Sequence, residues 1–263
     1  VEETNLHRQP LYTMLDIGRP KVEVARAALQ RFNPGPQIEV HAERLTPRNA
    51  ARLVGVADVV VDAADSFAVT YILSDACQAA AKPLVSASVI GLTGYAGAFC
   101  GDGPSYRAVF PDVSVDGETC ATVGVLGTAV AVLGGLQAHL ALHLLLGLEP
   151  SVLGRVVTFD ARRLAFGGFG FAGSPEPDAF VPFIASDAVT GDDLVIDLRS
   201  LDEAPVSPFT AAKRFEVESV ASLVAPLPSQ RVVLCCRSGQ RALMVADRLR
   251  ERGLANLALV ALG

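Results

Sequence analysis

Two groups of polar residues in this 263-residue chain have types and spacings suited to chemistry. The first group comes from the segments NLHRQ, IGRPK and DAADS, and its members are Asn5, Arg8, Gln9, Lys21, Asp65 and Ser66. An arginine offers a planar fork for phosphate oxygens, a lysine offers a point charge, and an aspartate is a hard oxygen ligand of the kind that Mg²⁺ prefers. We therefore expect this group to bind a nucleotide triphosphate, with Mg²⁺ at Asp65.

The second group is the loop CRSGQR, formed by Cys236, Arg237, Ser238, Gly239, Gln240 and Arg241. It follows the apolar run RVVLCC and precedes the helical pattern RALMVADRLRERG, so its backbone N–H groups are expected to surround the Cys236 sulfur. That field and the two arginines favour a thiolate or persulfide at Cys236. Cys235 should point to the opposite side of its strand, into the core. The Cx4R spacing is one residue shorter than the Cx5R loop of tyrosine phosphatases, which favours a sulfur-bearing anion over phosphate.

The elements that position both groups follow an alternating β/α pattern. Pro20 precedes a predicted helix in VEVARAALQRF, IEVHAERL alternates as a strand, and ADVVVDA is typical of a short buried parallel strand. A helix is predicted from Ser66 to about Ala81, and PLVSASVIG and TGYAGAFC are predicted strands. Open parallel sheets bind ligands at the carboxyl ends of their strands, where the first group lies. The pattern predicts an α/β fold.

The order and spacing of NLHRQ, IGRPK, the DxxDS segment and the later CATVGVLG resemble the MoeB/ThiF family, the bacterial relatives of ubiquitin-activating enzymes. The resemblance covers residues 1 to about 166. It implies that Asn5, Arg8, Gln9, Lys21 and Asp65 bind ATP and adenylate the C-terminal carboxylate of a ubiquitin-like sulfur carrier. The family usually has Asn where this chain has Ser66, whose hydroxyl can still hydrogen-bond, so a tuned site is expected.

The resemblance also gives Cys120 a possible role, because it matches the position of a reactive cysteine ahead of GVxG in ThiF-like enzymes. The alternative is a small buried residue before an apolar helix, which is common for a free cysteine. The family opens with a strand, a glycine-rich phosphate loop and an acidic ribose-binding segment ahead of NLHRQ, and this sequence has none of them. We therefore expect a Rossmann-like, mostly parallel sheet that lacks its first strand, whose front either lies outside this sequence or has been lost.

A linker and a second, smaller domain are expected after residue 166. Gly168, Gly170 and Gly173 match GxGxxG, but SPEPDAF follows where a dinucleotide-binding motif needs a helix, so residues 167–191 are predicted to be a linker. With the upstream DLRS, the CRSGQR loop resembles a rhodanese domain, here over residues 192–263. The chain has APVSPFTAAKRFEV in place of a HIPGA-like segment and ends at Gly263, and both departures disfavour efficient thiosulfate turnover.

Together the two resemblances, a combination similar to MoeZ-type proteins, imply an adenylyltransferase and sulfurtransferase. The carrier would be adenylated, and a persulfide on Cys236 would convert it to a thiocarboxylate for molybdopterin or thiamin synthesis. The implied partners are a ubiquitin-like carrier ending in Gly-Gly, a sulfur donor that is a cysteine desulfurase persulfide or thiosulfate, and a second copy in a homodimer. Two alternatives stay open: a rhodanese enzyme whose front half only docks the carrier, and a non-catalytic binding or dimerisation module.

Composition narrows these possibilities. The chain is 51% hydrophobic and 19% charged, which suits one sizeable core and a small second domain. Its net charge of −6, without a visible basic cluster, argues against a nucleic-acid partner. The polar start does not resemble a signal peptide, and five cysteines without framework spacing indicate a reducing, cytoplasmic compartment. Many relatives carry two CxxC pairs, but PSYRAVF and GFAGSPEPDAF have no cysteine there, so we predict no zinc site.

The least polar stretch, residues 121–148, contains no Asp, Glu, Lys or Arg and is long enough for a transmembrane helix. Gln137, His139, His143, several glycines and the absence of basic flanks argue against a membrane span. The resemblance implies instead a buried helix or helix pair near the dimer contact. His139 and His143 are one turn apart but lack a third ligand nearby, so core histidines are expected rather than a metal pair. Cys77 and Cys100 are also assigned to the core.

Overall fold

The computed structural model describes residues 1–111, 124–222 and 230–263. In these residues the α-helices are α1 (Lys21–Phe32), α2 (Pro47–Gly55), α3 (Phe67–Ala79), α4 (Tyr106–Val109), α5 (Gly127–Leu145) and α6 (Gln240–Glu251). The strands are β1 (Val60–Asp62), β2 (Pro83–Ile90), β3 (Thr93–Cys100), β4 (Arg155–Asp160), β5 (Ala165–Gly170), β6 (Leu194–Asp197), β7 (Lys213–Arg214), β8 (Val232–Cys236) and β9 (Leu257–Ala261). The predicted α/β class is confirmed.

The strands form two sheets. In the first, with strand order β1-β2-β3-β4-β5, only β1 and β2 are parallel, and Asp62 lies opposite Ser86 in their register. The other neighbours pair antiparallel, and for β2 and β3 the short connection between Ile90 and Thr93 permits nothing else. The second sheet, with order β7-β6-β8-β9, is parallel throughout. The mostly parallel arrangement expected for the first sheet is therefore found there only at β1 and β2.

Helix α5 packs against β2 and β3 through one face. Leu133 and Leu140 are buried, whereas Leu142, Leu145 and Leu146 are more than half exposed. Within the described part of the chain, α5 has the length and apolar composition that a membrane crossing requires, a property that core helices of soluble proteins share. The buried helix expected here is found in part, because the sheet covers one side of α5.

A single hydrophobic core joins the two sheets. Helix α3 contributes Tyr71, whose ring lies 6.4 Å from that of Phe183, and the same buried cluster contains Leu234 of β8 and Leu243 of α6. At the periphery, Arg48 and the Asp187 carboxylate form a 2.7 Å ion pair that is largely exposed. The second sheet is therefore packed directly on the helix that follows β1.

Other sequence-based expectations fail locally. Residues 38–45 form no strand, since a strand needs a neighbour to complete its ladder and none of the described residues supplies one there. Strand β1 was expected to be buried, but Val61 is 48% exposed at the edge of the sheet. Strand β5 extends to Gly170, so the first residues assigned to a linker belong to the first sheet. As expected from SPEPDAF, residues 174–185 form no helix.

Candidate functional site

The first half of the site is the turn between β1 and α3. The Asp62 carboxylate is 2% exposed and accepts hydrogen bonds from the Ala64 N–H (3.1 Å), the Thr70 hydroxyl (2.7 Å) and the Ser86 hydroxyl (3.0 Å). Burial raises the pKa of Asp62 and outweighs these hydrogen bonds. Asp65, three residues later, is exposed, and its side chain has no hydrogen bond or ion pair within the described residues. A free carboxylate thus projects from a turn that a buried carboxylate holds.

The N-terminal segment carries three more of the predicted residues. Asn5 is buried and accepts a hydrogen bond from the Glu2 N–H through its side chain, while its carbonyl accepts from the backbone N–H groups of Arg8 and Gln9. The Arg8 guanidinium donates to the Thr4 carbonyl at 2.8 Å and contacts a ring nitrogen of His7 at 2.8 Å. The side-chain oxygen of Gln9 is buried without a hydrogen-bond partner. Asn5 therefore shapes the turn, and Gln9 retains an unused acceptor.

Lys21 is brought near this segment by the backbone. The Gly18 N–H donates to the Val1 carbonyl, and the Val1 ammonium donates to the Arg19 carbonyl, so NLHRQ and IGRPK are held together. Lys21 is the first residue of α1 and is exposed. No hydrogen bond or ion pair among the described residues connects Asp65 to Arg8 or Lys21. The structure therefore groups the two cationic segments but does not link them to the β1 turn.

The second half of the site is the loop between β8 and α6. The Cys236 sulfur is fully buried and accepts hydrogen bonds from the backbone N–H groups of Gly239 (3.2 Å) and Ala242 (3.4 Å). Gly239 begins the helix with φ of +91°, a left-handed conformation that favours glycine. Cys235 faces a separate buried cluster on the opposite side of β8. As predicted, backbone N–H groups of this loop and of the start of α6 point at the Cys236 sulfur, and Cys235 lies in the core.

The electrostatic expectation for Cys236 was only partly right. Burial raises its pKa, against the lowering effect of the Ala242 and Gly239 N–H groups and of the Arg241 charge. Arg241 donates to the Leu198 carbonyl at 2.9 Å and to the Glu203 carboxylate at 2.6 Å, so part of its charge is neutralised. Arg237 is exposed. In this closed arrangement the thiol form of Cys236 is therefore favoured over the thiolate.

The two loops touch each other. The Ser238 carbonyl accepts a hydrogen bond from the Ala68 N–H at 2.9 Å and from the Ser66 hydroxyl at 3.4 Å. A Cβ on Gly239 would come within 2.8 Å of the Phe183 ring and 3.0 Å of the Ala68 Cβ, so the loop fits closely against α3. The residue after Asp65 thus contacts the residue two after Cys236. Sequence reasoning gave no indication of this contact.

The remaining candidates are distributed as follows. Cys120 lies outside the described residues. Cys77 and Cys100 are buried as expected, and burial raises the pKa of each thiol to about 12. His139 is exposed and His143 is half-buried, so the prediction of core histidines was wrong; their rings lie 6.3 Å apart on the uncovered side of α5. Among residues 1–111, 124–222 and 230–263, no three His, Cys, Asp or Glu side chains form a metal-binding group.

Two residues that hold the β1 turn in place were missed as contributors to the site. Asp62 was visible only as the first aspartate of DAADS, and Gln137 only as a polar residue in an apolar helix. The Gln137 amide donates to the carbonyls of Asp62 (2.5 Å) and Val85 (3.1 Å), which ties α5 to the ends of β1 and β2. A lone glutamine in a 28-residue stretch without charges was the signal that could have revealed this role.

The fold and the polar strand end define the class of this protein. The ThiF family model matches residues 1–176, and the chain belongs to the ThiF family. The match ends before the second sheet begins.

Three similar proteins show how much of the chain is shared with its relatives. The chain is 40% identical over 174 residues to the sulfur carrier protein adenylyltransferase of Thermus thermophilus, covering 63% of this chain and 64% of that protein. It is 36% identical over 178 residues to the SAMP-activating enzyme E1 of Haloferax volcanii, covering 67% and 66%. For the adenylyltransferase and sulfurtransferase MOCS3 of Anopheles gambiae, identity is 40% over 169 residues, covering 63% and 38%. The chain thus spans between 38% and 66% of the length of these relatives.

Solved structures agree on the fold. E. coli MccB with MccA-N7isoASN matches with a TM-score of 0.59 and 20% identity, covering 68% of this chain and 56% of that chain. E. coli MccB with ATP matches with a TM-score of 0.55 and 19% identity over the same shares. At such identities the likeness shows a Rossmann-like α/β fold and nothing further.

The polar side chains in the first half of the site fit a nucleotide and a hard cation only partly. Within residues 1–111, 124–222 and 230–263, the exposed Asp65 carboxylate and the buried side-chain oxygen of Gln9 have no hydrogen-bond partner, so both have unused acceptors. Arg8, in contrast, already has two hydrogen-bonded neighbours. An incoming phosphate would have to compete for that guanidinium.

Proposed function

We propose that this protein adenylates the C-terminal carboxylate of a ubiquitin-like sulfur carrier with ATP, and that a persulfide on Cys236 then supplies sulfur to the activated carrier. The observation that carries the proposal is the contact between the two loops, in which the Ala68 N–H donates to the Ser238 carbonyl at 2.9 Å. It places the cysteine loop against the helix that follows Asp65, within a chain of the ThiF family. The name of the Thermus relative supports the adenylation, and the name of the Anopheles relative supports both activities.

In the first step, an oxygen of the carrier carboxylate attacks the α-phosphorus of ATP, and pyrophosphate leaves. Arg8 and Lys21 would offset the charge on the phosphates, since positioning and charge neutralisation dominate phosphoryl chemistry. Gln9 would use its free oxygen to accept a hydrogen bond from the nucleotide. Asp65 would hold Mg²⁺, which supplies further charge neutralisation when bound.

In the second step, the outer sulfur of the Cys236 persulfide attacks the acyl carbon, and AMP leaves with the bonding electron pair. The product is an acyl disulfide between the carrier and Cys236. A second thiolate must then attack the Cys236 sulfur, so that a protein disulfide forms and the carrier leaves as a thiocarboxylate. Cys120 is the candidate for this thiolate within the chain, and a cellular thiol would reduce the disulfide afterwards.

The sulfur loop must leave α3 for this step, because Cys236 is 0% exposed in the closed arrangement. Separation would expose the sulfur and remove the burial that raises its pKa. The backbone N–H groups and Arg241 would then favour the anionic form. The contact between the loops therefore describes a resting state from which sulfur transfer begins.

The same proposal assigns the partners. The carrier would end in Gly-Gly, the sulfur donor would be a cysteine desulfurase persulfide or thiosulfate, and the compartment would be the cytoplasm. A homodimer would cover the apolar side of α5, where Leu142, Leu145 and Leu146 are exposed. Burial of such side chains is the usual driving force for association.

The test is to incubate the purified protein with ATP, Mg²⁺, a persulfide donor and a recombinant β-grasp carrier that ends in Gly-Gly. We expect carrier-dependent exchange between ATP and pyrophosphate, and carrier thiocarboxylate by mass spectrometry. Cys236→Ala should abolish the thiocarboxylate and leave the exchange intact. Absence of exchange in the wild-type protein would reject the adenylation step.

One observation favours a second function: the Arg8 guanidinium is already in contact with Thr4 and His7. If Arg8 does not bind phosphate, the N-terminal half of the chain only docks the carrier, and the protein is a sulfurtransferase alone. That reading predicts persulfide transfer from Cys236 to a carrier that has already been activated, with no exchange between ATP and pyrophosphate.

A further inference from the structure

The turn between β1 and α3 contains a buried carboxylate that neither step of the proposed reaction uses. Asp62 is the last residue of β1, and its three hydrogen-bond donors come from its own turn (Ala64), from α3 (Thr70) and from β2 (Ser86). In addition, the Gln137 amide of α5 donates to the Asp62 carbonyl. Four elements therefore meet at one residue.

These contacts fix the segment that carries Asp65. The Ala64 N–H is bonded to one carboxylate oxygen of Asp62, and the Thr70 hydroxyl is bonded to the other. Asp65 lies between Ala64 and Thr70 in the chain, so both sides of its turn are held by the same carboxylate. Asp65 itself is exposed and has no side-chain partner within the described residues. The neighbouring Ser66 and Ala68 contact the Ser238 carbonyl, and Asp62 supplies the contacts that tie the turn to its own sheet.

We infer that Asp62 is a positioning residue that orients Asp65 toward the metal–nucleotide complex, an inference that rests on the proposed function. Asp62 does not touch the ligand; it acts through the turn. The three donors to its carboxylate are neutral, so its role is hydrogen-bond acceptance rather than charge pairing. Asparagine can reproduce much of that arrangement, because its oxygen accepts from Ala64 and its amide can donate to the hydroxyl oxygens.

The second sheet supplies a matched control. Asp197 ends parallel strand β6, is 0% exposed, and accepts hydrogen bonds from Arg199 at 2.9 and 2.7 Å. Removing its carboxylate causes a comparable loss of buried hydrogen bonds at a place remote from Asp65 in the chain. A purely structural effect of Asp62 should be reproduced by Asp197→Ala, whereas a positioning effect should not.

The experiment compares Asp62→Ala, Asp62→Asn and Asp197→Ala with the wild-type protein in two measurements. The first is amide hydrogen exchange at Ala64, whose N–H donates to the Asp62 carboxylate, and the second is the affinity for Mn²⁺–ATP by electron paramagnetic resonance. Asp62→Ala should accelerate exchange at the Ala64 amide by about tenfold or more, because that N–H loses its acceptor. It should weaken Mn²⁺–ATP binding by about 10- to 100-fold, the usual effect of removing a group that orients a metal ligand.

Asp62→Asn should restore most of both properties, and Asp197→Ala should leave both near wild type. Unchanged exchange at Ala64 in Asp62→Ala, or equal losses in Asp197→Ala, would overturn the inference. If Asp62→Ala does not fold, Thr70→Val and Ser86→Ala remove one donor each and should give smaller effects of the same kind. If the wild-type protein does not bind Mn²⁺–ATP while the exchange pattern is as expected, the role of Asp62 in the turn stands and the proposed function fails.

Discussion

The turn after β1 and the loop after β8 both leave the carboxyl end of a parallel strand and lead into a helix. Each has a buried polar group at the last strand residue, Asp62 in one and Cys236 in the other, and each group accepts hydrogen bonds from backbone N–H groups of its own loop. They differ in how they are completed. The loop after β8 surrounds its sulfur with its own backbone, whereas the turn after β1 relies on side chains from β2 and α3.

This difference shows how a reactive group can be built from local or from distant parts of a sequence. The seven consecutive residues 236–242 suffice to surround the sulfur at a helix N-terminus, because the donors are backbone N–H groups. The proposed metal–nucleotide site needs charges from several segments, since Arg8 and Lys21 lie in a different part of the chain from Asp65. The first kind of site is therefore self-contained, and the second depends on the fold around it.

The largest effect is expected from removing the sulfur of the self-contained loop. Cys236→Ala should lower carrier thiocarboxylate formation on the order of 10⁴-fold or more, as removal of a nucleophile commonly does. The control is Cys235→Ala, which changes a thiol whose pKa burial raises to about 12 and which faces away from the loop. The rate of sulfur transfer to a pre-adenylated carrier should distinguish Cys236→Ala from Cys235→Ala. Equal losses in both variants would refute the assignment of Cys236 as the sulfur-carrying residue.

The next effect concerns the turn after β1. Asp65→Asn should reduce carrier-dependent exchange between ATP and pyrophosphate by about 100-fold, because a metal ligand contributes several kcal/mol to such chemistry. Asp58→Asn is the matched control, since Asp58 is an exposed carboxylate on the other side of β1. Exchange assays at a series of Mg²⁺ concentrations should show this loss of activity for Asp65→Asn and not for Asp58→Asn. An equal loss in Asp58→Asn would mean that the activity depends on the general surface charge and not on Asp65 as a metal ligand.

A smaller effect should come from separating the two regions. Ala68 is 1% exposed beneath the sulfur loop, so Ala68→Leu should overpack the contact and cost about 1–3 kcal/mol. Cys236 should then react with iodoacetamide about tenfold faster or more. Because burial raises the pKa of Cys236, its alkylation rate in the wild-type protein should keep rising at pH values above the pKa of an ordinary cysteine thiol. In Ala68→Leu the alkylation rate should rise at lower pH than in the wild-type protein.

The control for that prediction is Ala79→Leu, at the exposed far end of the same helix. It should leave both the alkylation rate and its pH profile unchanged. Fast alkylation of the wild-type protein with an unshifted profile would mean that the loops are not in contact in solution.

The smallest effect is one of stability. Gln137→Leu keeps the size of the side chain but leaves the Asp62 and Val85 carbonyls without their shared donor. The free energy of unfolding should fall by about 1–3 kcal/mol, the usual cost of an unsatisfied buried polar group. Urea denaturation measures it, with Gln78→Leu on α3 as the control, because the side-chain oxygen of Gln78 has no partner to lose.

The same difference between the regions determined what the sequence could predict. The strand and the helix that flank the CRSGQR loop were predicted to within about two residues at each end, and Cys235 was correctly placed in the core, because all the information is local. Helix α3 with Ser66 at its N-terminus was also correct. The predicted strand at residues 38–45 failed because its formation depends on a partner, and the role of Asp62 was missed because Thr70, Ser86 and Gln137 come from three other elements.

The most direct test of the proposed function follows the mass of the carrier in one reaction. The protein, ATP, Mg²⁺, a persulfide donor and a β-grasp carrier ending in Gly-Gly are mixed, and intact carrier is analysed by mass spectrometry at successive times. We predict an AMP-linked carrier that appears first and a carrier with one oxygen replaced by sulfur that follows, with Cys236→Ala arrested at the first species. A carrier that gains sulfur without ATP, or never gains AMP, would contradict the account.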